Sequence, residues 1–235
     1  MTTTEIMQQL EKLGTAQTKK IWMKHGAKEP FFGVNIADLK VIQKKIKKDY
    51  KLSLELFDTS NGDAQYLAGL IADEKKMTEK DLNRWVKTAG WKMISESTVP
   101  WIAAESAYGW KLGLEWIDSK KESIASSGWS TLSSVVALIA DDQLDQKQIE
   151  KLFTRIEKEI HTAENRVRSC MNGFIIAAGS YIAALSDKAK AVAKKIGVVE
   201  INVGDTACKV PDAVTYIDKV VKAGKLGKKK KEARC

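Results

Sequence analysis

Apolar residues along this chain recur mostly at intervals of three and four, the spacing that gathers them on one side of an α-helix. Ile36, Leu39, Ile42 and Ile46 form the clearest set, and Asn35 just ahead of them has a side chain suited to accept the first free amides of a helix. Upstream, Thr3 or Thr4 caps a short helix ending at Gly14, and a second helix carries Ile21, Trp22 and His25 before stopping at Gly26. From Asp63 onward one helix follows another. Thr78 with Asp81, and Asp145 with Gln148, have the start of a capping box ahead of apolar-periodic stretches. Met171 to Leu185, rich in apolar and small residues, predicts a central helix that neighbours approach closely. Gly197 to Asp205 reads as an extended excursion, and Pro211-Asp212 opens a last helix.

The pattern also repeats. Leu70-Ile71-Ala72-Asp73 returns as Leu138-Ile139-Ala140-Asp141, 68 residues later, and a capped helix follows each copy. Half of that interval is 34 residues, within the range of two-helix units that stack into solenoids. The expected fold is all-α: a curved α-solenoid of HEAT-like helical repeats over residues 1–221. The tail, residues 222–235, has too few apolar residues to pack and is expected to be flexible. Stacked helix pairs generate an extended concave face, which suits a polymer better than a metabolite.

Six of the seven tryptophans fall between Trp85 and Trp129, and Gly-Trp recurs there at Gly90, Gly109 and Gly128, each 19 residues after the last. Lys92, Ser95, Glu96 and Ser97 share that stretch, just ahead of Val99-Pro100, where the missing amide of proline must begin or interrupt a helix. An acid, a base and several indoles on one helical layer describe a cleft lining, and they describe a core boundary equally well. For any single tryptophan, core packing is the commoner fate.

Composition narrows the chemistry. Only three prolines interrupt the chain, and 44% apolar with 29% charged residues is ordinary for a folded protein. Cys170, Cys208 and Cys235 are odd in number with no Cys-x-x-Cys spacing, so neither a metal site nor a disulfide framework is expected, and a reducing cytoplasm fits. His25 has no partner at ligand spacing and reads as structural. The longest nearly apolar run, Phe174 to Leu185, is too short for the ~20 residues that span a bilayer, and no membrane partner is expected. No phosphate loop, His-Glu-x-x-His, nucleophile elbow or zinc-deaminase signature is present, so no cofactor is implied.

The net charge of +9 belongs to the two ends. Residues 19–51 hold ten lysines against three acids, and the tail holds seven cations against one acid, while the middle is slightly acidic. Lys40, Lys44, Lys47 and Lys51 line up at helical spacing opposite the apolar face of the Asn35-capped helix. Two localised cationic patches fit an elongated anionic partner such as nucleic acid; a solvated lysine face plus a solubilising tail fits them too.

Four segments carry a resemblance to a known family: FFGVNIADLKVIQKKI, Trp91 to Pro100, ASSGW ending at Trp129, and GDTACKVPDAVTYI. Together they resemble the DNA alkylation repair family, HEAT-like proteins that include alkylpurine DNA glycosylases. The resemblance implies a solenoid holding duplex DNA on a concave basic face. In the active branch a cleft Asp, two Trp and an Arg promote cleavage of the N-glycosidic bond of a cationic alkylated base. Here Glu96 stands where that Asp would be and Lys92 where one Trp would be, beside Trp91. The Arg position near Trp129 falls on Leu132 or Ser133, and Phe174 lies near the second Trp. These departures count against base excision more than against DNA binding. The residues expected to meet duplex or branched DNA are Lys40, Lys44, Lys47, Trp91, Lys92, Trp129, Arg166, Arg168 and Phe174, with the lysine tail, and Glu96 is the one catalytic candidate. A protein-binding scaffold is the alternative from another class.

Overall fold

In the computed structural model, which describes every residue except Asp205 and Cys235, the predicted caps locate most helix starts. The expected excursion runs up to Asp205 and the expected tail up to Cys235, and those two positions lie outside the described residues. Helix α1 (Thr3–Leu13) begins one residue earlier than expected: Thr2 is the cap, because it alone has an acid, Glu5, three residues on to complete a capping box. Asn35 caps α3 (Ile36–Ile46), and Thr78 with Asp81 forms a full box on α6 (Glu79–Thr88). The others are α2 (Ala16–Lys24), α4 (Tyr50–Asp58), α5 (Gly62–Ile71), α7 (Val99–Glu105), α8 (Gly109–Trp116), α9 (Glu122–Leu138), α10 (Gln146–Glu159), α11 (Asn165–Tyr181), α12 (Ser186–Ile196) and α13 (Ala213–Lys222). There is no strand among the described residues, and those described between 197 and 212 form an irregular connection.

Two rows of helices result. In the first, α5 packs on α7, α7 on α9, α9 on α11 and α11 on α13, while α4, α6, α8, α10 and α12 alternate with them in the second. The Leu-Ile-Ala-Asp repeat marks the same place twice: it closes α5 and α9, where Ala72 and Ile139 leave the helix in extended conformation. This is the expected all-α solenoid of HEAT-like repeats. Within the first row α5, α7, α9 and α11 are the most buried helices, and α5 has no exposed residue at all. No single helix among the described residues is long and apolar enough to cross a membrane.

Most of the tryptophan band is core. Trp85 stacks on Phe57 with centroids 4.1 Å apart, Trp101 meets Tyr66 edge-on, and the Trp116 indole donates to Asn83. Trp129 and Phe174 were expected to face DNA, but both are fully buried against each other, centroids 5.5 Å apart. Close backbone approach explains the glycine beside Trp129: a Cβ on Gly128 would lie 2.6 Å from the Ile117 amide, so α8 and α9 touch only because it is absent.

The tail corrects a second expectation. It crosses the C-terminal ends of α11, α9, α7 and α5 in turn, donating to carbonyls that α11, α9 and α5 leave unpaired and to the Glu105 side chain of α7. Gly227 N donates to Ser180 O, Lys229 Nζ to Val136 O, Lys230 N to Ala137 O, and Ala233 N to the Glu105 carboxylate. Arg234 closes the strap, pairing with Glu74 at 2.6 Å and Glu105 at 3.1 Å. Helix C-termini carry partial negative charge, so a lysine-rich segment is suited to this edge although it has little apolar surface. Burial pushes the Glu74 carboxyl up, but the Lys48 hydrogen bond and the charges of Arg234 and Lys48 outweigh it and hold it below its ordinary 4.5.

Arg234→Ala leaves Glu74 and Glu105, both mostly buried, without that cation and should lower the unfolding free energy by about 3 kcal/mol in urea denaturation at neutral pH. A depressed carboxylate stabilises the fold above its ordinary value and loses that effect as pH falls through its folded-state pKa. The gap between variant and wild type should therefore close below pH 4.5. Equal stability at pH 7 would mean that the strap contributes nothing.

Candidate nucleic-acid interface

Pro100 shapes the stretch that holds the acid and the base. Ahead of α7 the chain makes one π-helical turn, Ile94–Thr98, in which the Val99 amide reaches back five residues to Ile94 O. In that register Pro100 would have to donate to Ser95 O, and it has no donor. The hydroxyl of Ser127 on α9 donates to that carbonyl instead. The wider turn faces Glu96 away from the core, and π turns of this kind recur at functional sites.

Glu96 lies on the wall of a cavity of about 390 Å³ bounded by α2, the start of α3, Trp91 to Ser97 and the start of α11. Trp22 and Trp91 meet edge-on there, centroids 5.2 Å apart at 78°. Lys92, His25 and Arg166 add polar groups to walls that also include Ile21, Ile36 and Met93. Arg166 grips Glu96 with both arms: Nε donates to Oε1 at 2.8 Å and Nη2 to Oε2 at 2.5 Å. That bidentate pair raises the guanidinium pKa above its ordinary value, against the opposing effect of burial. The Arg166 backbone amide, free at the start of α11, donates to Glu122 of α9 at 2.7 Å. Neighbouring helix starts thus meet at this edge.

The expected contact residues do not gather in one place. Lys92 and Arg166 are in the cavity with Trp91 and Glu96. Lys40 and Lys44 follow Ile36 at successive steps of four along α3, so the cationic line runs away from the cavity mouth. Lys47 does not continue it. The helix ends at Ile46, and Lys47 sits at φ 65°, turned off the axis, with Lys51 already on α4. Arg168, two residues beyond Arg166, points a different way and lines a hollow with residues 198–203 and 208–210. Leu132 is core, and the Ser133 hydroxyl bonds back to Trp129 O. In the tail, Lys229 turns inward to Asp141 at 2.8 Å. Lys225, Lys228 and Lys230 join Lys219 around a separate cleft of about 680 Å³ between α11, α13 and the strap.

The contribution of α2 was missed. Its signal was present: Ile21, Trp22 and Met23 are consecutive, about 100° apart around a helix, so one core cannot take all three. What holds α2 in place is the loop after it. Asp63, buried at the start of α5, accepts the amides of Phe32 at 2.6 Å and of Gly33 and Val34 at 3.0 Å. Burial raises its carboxyl pKa although all three donors favour the charged form. Gly33, at φ 82°, fits against the α2 backbone: a Cβ there would lie 2.6 Å from the Lys19 amide. Among the described residues no cluster of three or more His, Cys, Asp or Glu could hold a metal ion.

Residues 6–216 match the profile of the family described as DNA alkylation repair enzyme. The chain belongs to the DNA alkylation repair family. Similar proteins include Lmo0209 of Listeria monocytogenes, 32% identical over 90% of this chain and 93% of that protein, and Lin0241 of Listeria innocua, 31% identical over the same shares. Both are described as uncharacterized proteins. A solved structure at 36% identity superposes with a TM-score of 0.91 over 100% of both chains. It is described as a new family of proteins related to the HEAT-like repeat DNA glycosylases, with affinity for branched DNA structures. In this chain the carboxylate in the cavity, Glu96, is joined to a guanidinium brought from α11.

A double-mutant cycle of Glu96→Gln and Arg166→Gln should give a coupling of about 1–2 kcal/mol in unfolding free energy, since both side chains are mostly buried. A coupling near zero would mean that the pair does not form in solution. Asp63→Asn replaces one of two acceptor oxygens by a donor group and should cost about 2 kcal/mol. It should also speed amide exchange across residues 16–34, and exchange unchanged there would contradict the role given to the loop.

Proposed function

We propose that this protein binds DNA where the duplex is distorted or branched, on the surface around the Trp22–Trp91 cavity, and does not excise bases. The observation that carries the reading is one cavity with two indole edges, Lys92 and Arg166, continued by Lys40 and Lys44 along α3. Cations of this kind bind phosphates, and indoles bind bases released from the stack. The affinity of the structural relative for branched DNA supports it.

Excision through Glu96 has weaker support. As a glycosidic bond breaks, the sugar gains positive charge, and the carboxylate that stabilises it must be free to face it. Both Glu96 oxygens are occupied by Arg166, and Lys92, one turn away, opposes the approach of a cationic base.

Fluorescence anisotropy with a linear duplex, a bulged duplex and a four-way junction over a salt series tests the proposal. The junction should bind most tightly, and log affinity should fall linearly with log salt at about 0.9 per phosphate contacted. Changing Lys40 and Lys44 to Ala should reduce that slope by about 2. Affinity independent of salt would contradict the reading and favour a protein-binding scaffold. Alkylated DNA incubated with excess protein should release no methylated purine above background, and release abolished by Glu96→Gln would overturn the non-excising part.

A further inference from the structure

Helix α2 buries none of its residues. A nine-residue helix is too short to persist alone in water, and packing of one face normally sustains it. Here the loop at Asp63 and the contact of Trp22 with Trp91 hold the helix, while Ile21 and Met23 remain 50% and 56% exposed. Lys20, Lys24 and Lys28 are exposed around them, and no acid occurs between Lys12 and Lys28. Ile21 and Met23, two residues apart and so about 160° apart around the helix, stand on the two flanks of an outward face that carries Lys20 and Lys24, and the acids beside the helix, Glu29 and Glu96, are ion-paired with Lys19 and Arg166. That combination suits a partner offering flat apolar faces within a frame of negative charge. Paired duplex DNA hides its base faces, but a branch point, where pairing is interrupted, exposes them between phosphates.

Building on the proposed DNA-binding function, we infer that α2 is a wedge for the branch point. Ile21 and Met23, on opposite flanks of the helix, each meet the base pair that ends one arm of the opened branch, and Lys20, Lys24 and Lys28 hold the flanking phosphates. Trp22, braced edge-on by Trp91 at the cavity wall, takes the face of an unstacked base. Aliphatic side chains are the usual intercalating wedges in bent and opened DNA, and indoles the usual stacking platforms for single bases. The wedge gives preference for branched over linear DNA without reading sequence, whereas the lysines of α3 serve both.

The full-length protein carrying Ile21→Ser and Met23→Ser tests this, since both side chains are exposed and the fold should keep its melting temperature. Binding is measured to a four-way junction with 2-aminopurine at the branch point and to a linear duplex of the same sequence. The variant should lose junction affinity about tenfold while duplex affinity changes less than about twofold. The rise in 2-aminopurine fluorescence that accompanies unstacking by the wild type should disappear. Trp22→Leu should weaken junction binding in the same direction. A variant that keeps the wild-type ratio of junction to duplex affinity overturns the wedge and leaves DNA binding standing. A wild type that binds neither DNA overturns both. Loss of a self-associated state on substitution, with junction affinity unchanged, overturns the wedge in favour of a contact between two copies of the chain.

Discussion

A row of helices stacked side by side and pointing the same way leaves all its C-terminal carbonyls on one edge and its N-terminal amides on the other. Each edge then needs partners that the helices themselves cannot supply. In this protein the carbonyl edge takes them from the C-terminal strap, which runs from Ser180 to Leu70 across four helix ends and brings Lys229 and Arg234 with it. The strap also ties the two halves of the solenoid together, because its contacts reach from α11 back to α5. The positive character of the tail is thereby partly spent inside the fold.

The amide edge is arranged differently. Glu122 accepts the free amide of Arg166, and the Arg166 side chain reaches across to Glu96 on the π turn set by Pro100. Three successive first-row units are joined through those side chains at a place where helix dipoles favour anions. Beside it stand Trp91 and, from the N-terminal pair of helices, Trp22. Positive dipole ends, lysines and indole edges therefore converge on one side of the molecule, and the strap covers the other. One edge of a basic chain is thus closed by its own cations, while the other keeps Trp22, Trp91 and Lys92 around a cavity.

Much of this was legible beforehand, for identifiable reasons. Apolar periodicity and caps are local, so the all-α class, Asn35, Thr78 and the 68-residue repeat could be read directly. The start of the cavity at Trp91, Lys92 and Glu96 was legible because Pro100 disturbs any helix containing it. What could not be read is non-local. Glu96 and Arg166 are 70 residues apart, and nothing near either one reports the pairing. The tail was expected to be free because its own composition cannot fold; its partners are carbonyls whose position depends on the entire stack. Trp129 and Phe174 carried the expectation of a DNA-facing role from family likeness, whereas their size and apolarity had already favoured the core. Lys47 was lost to the stripe because α3 ends one residue before it.

Amide hydrogen exchange on the full-length protein, alone and saturated with a four-way junction, tests the central claim that DNA meets the amide edge. Protection should appear across residues 19–28, 91–97 and 165–168, with residues 227–234 unchanged. Protection confined to the strap and the cleft beside α13, with the cavity segments unchanged, would contradict the account.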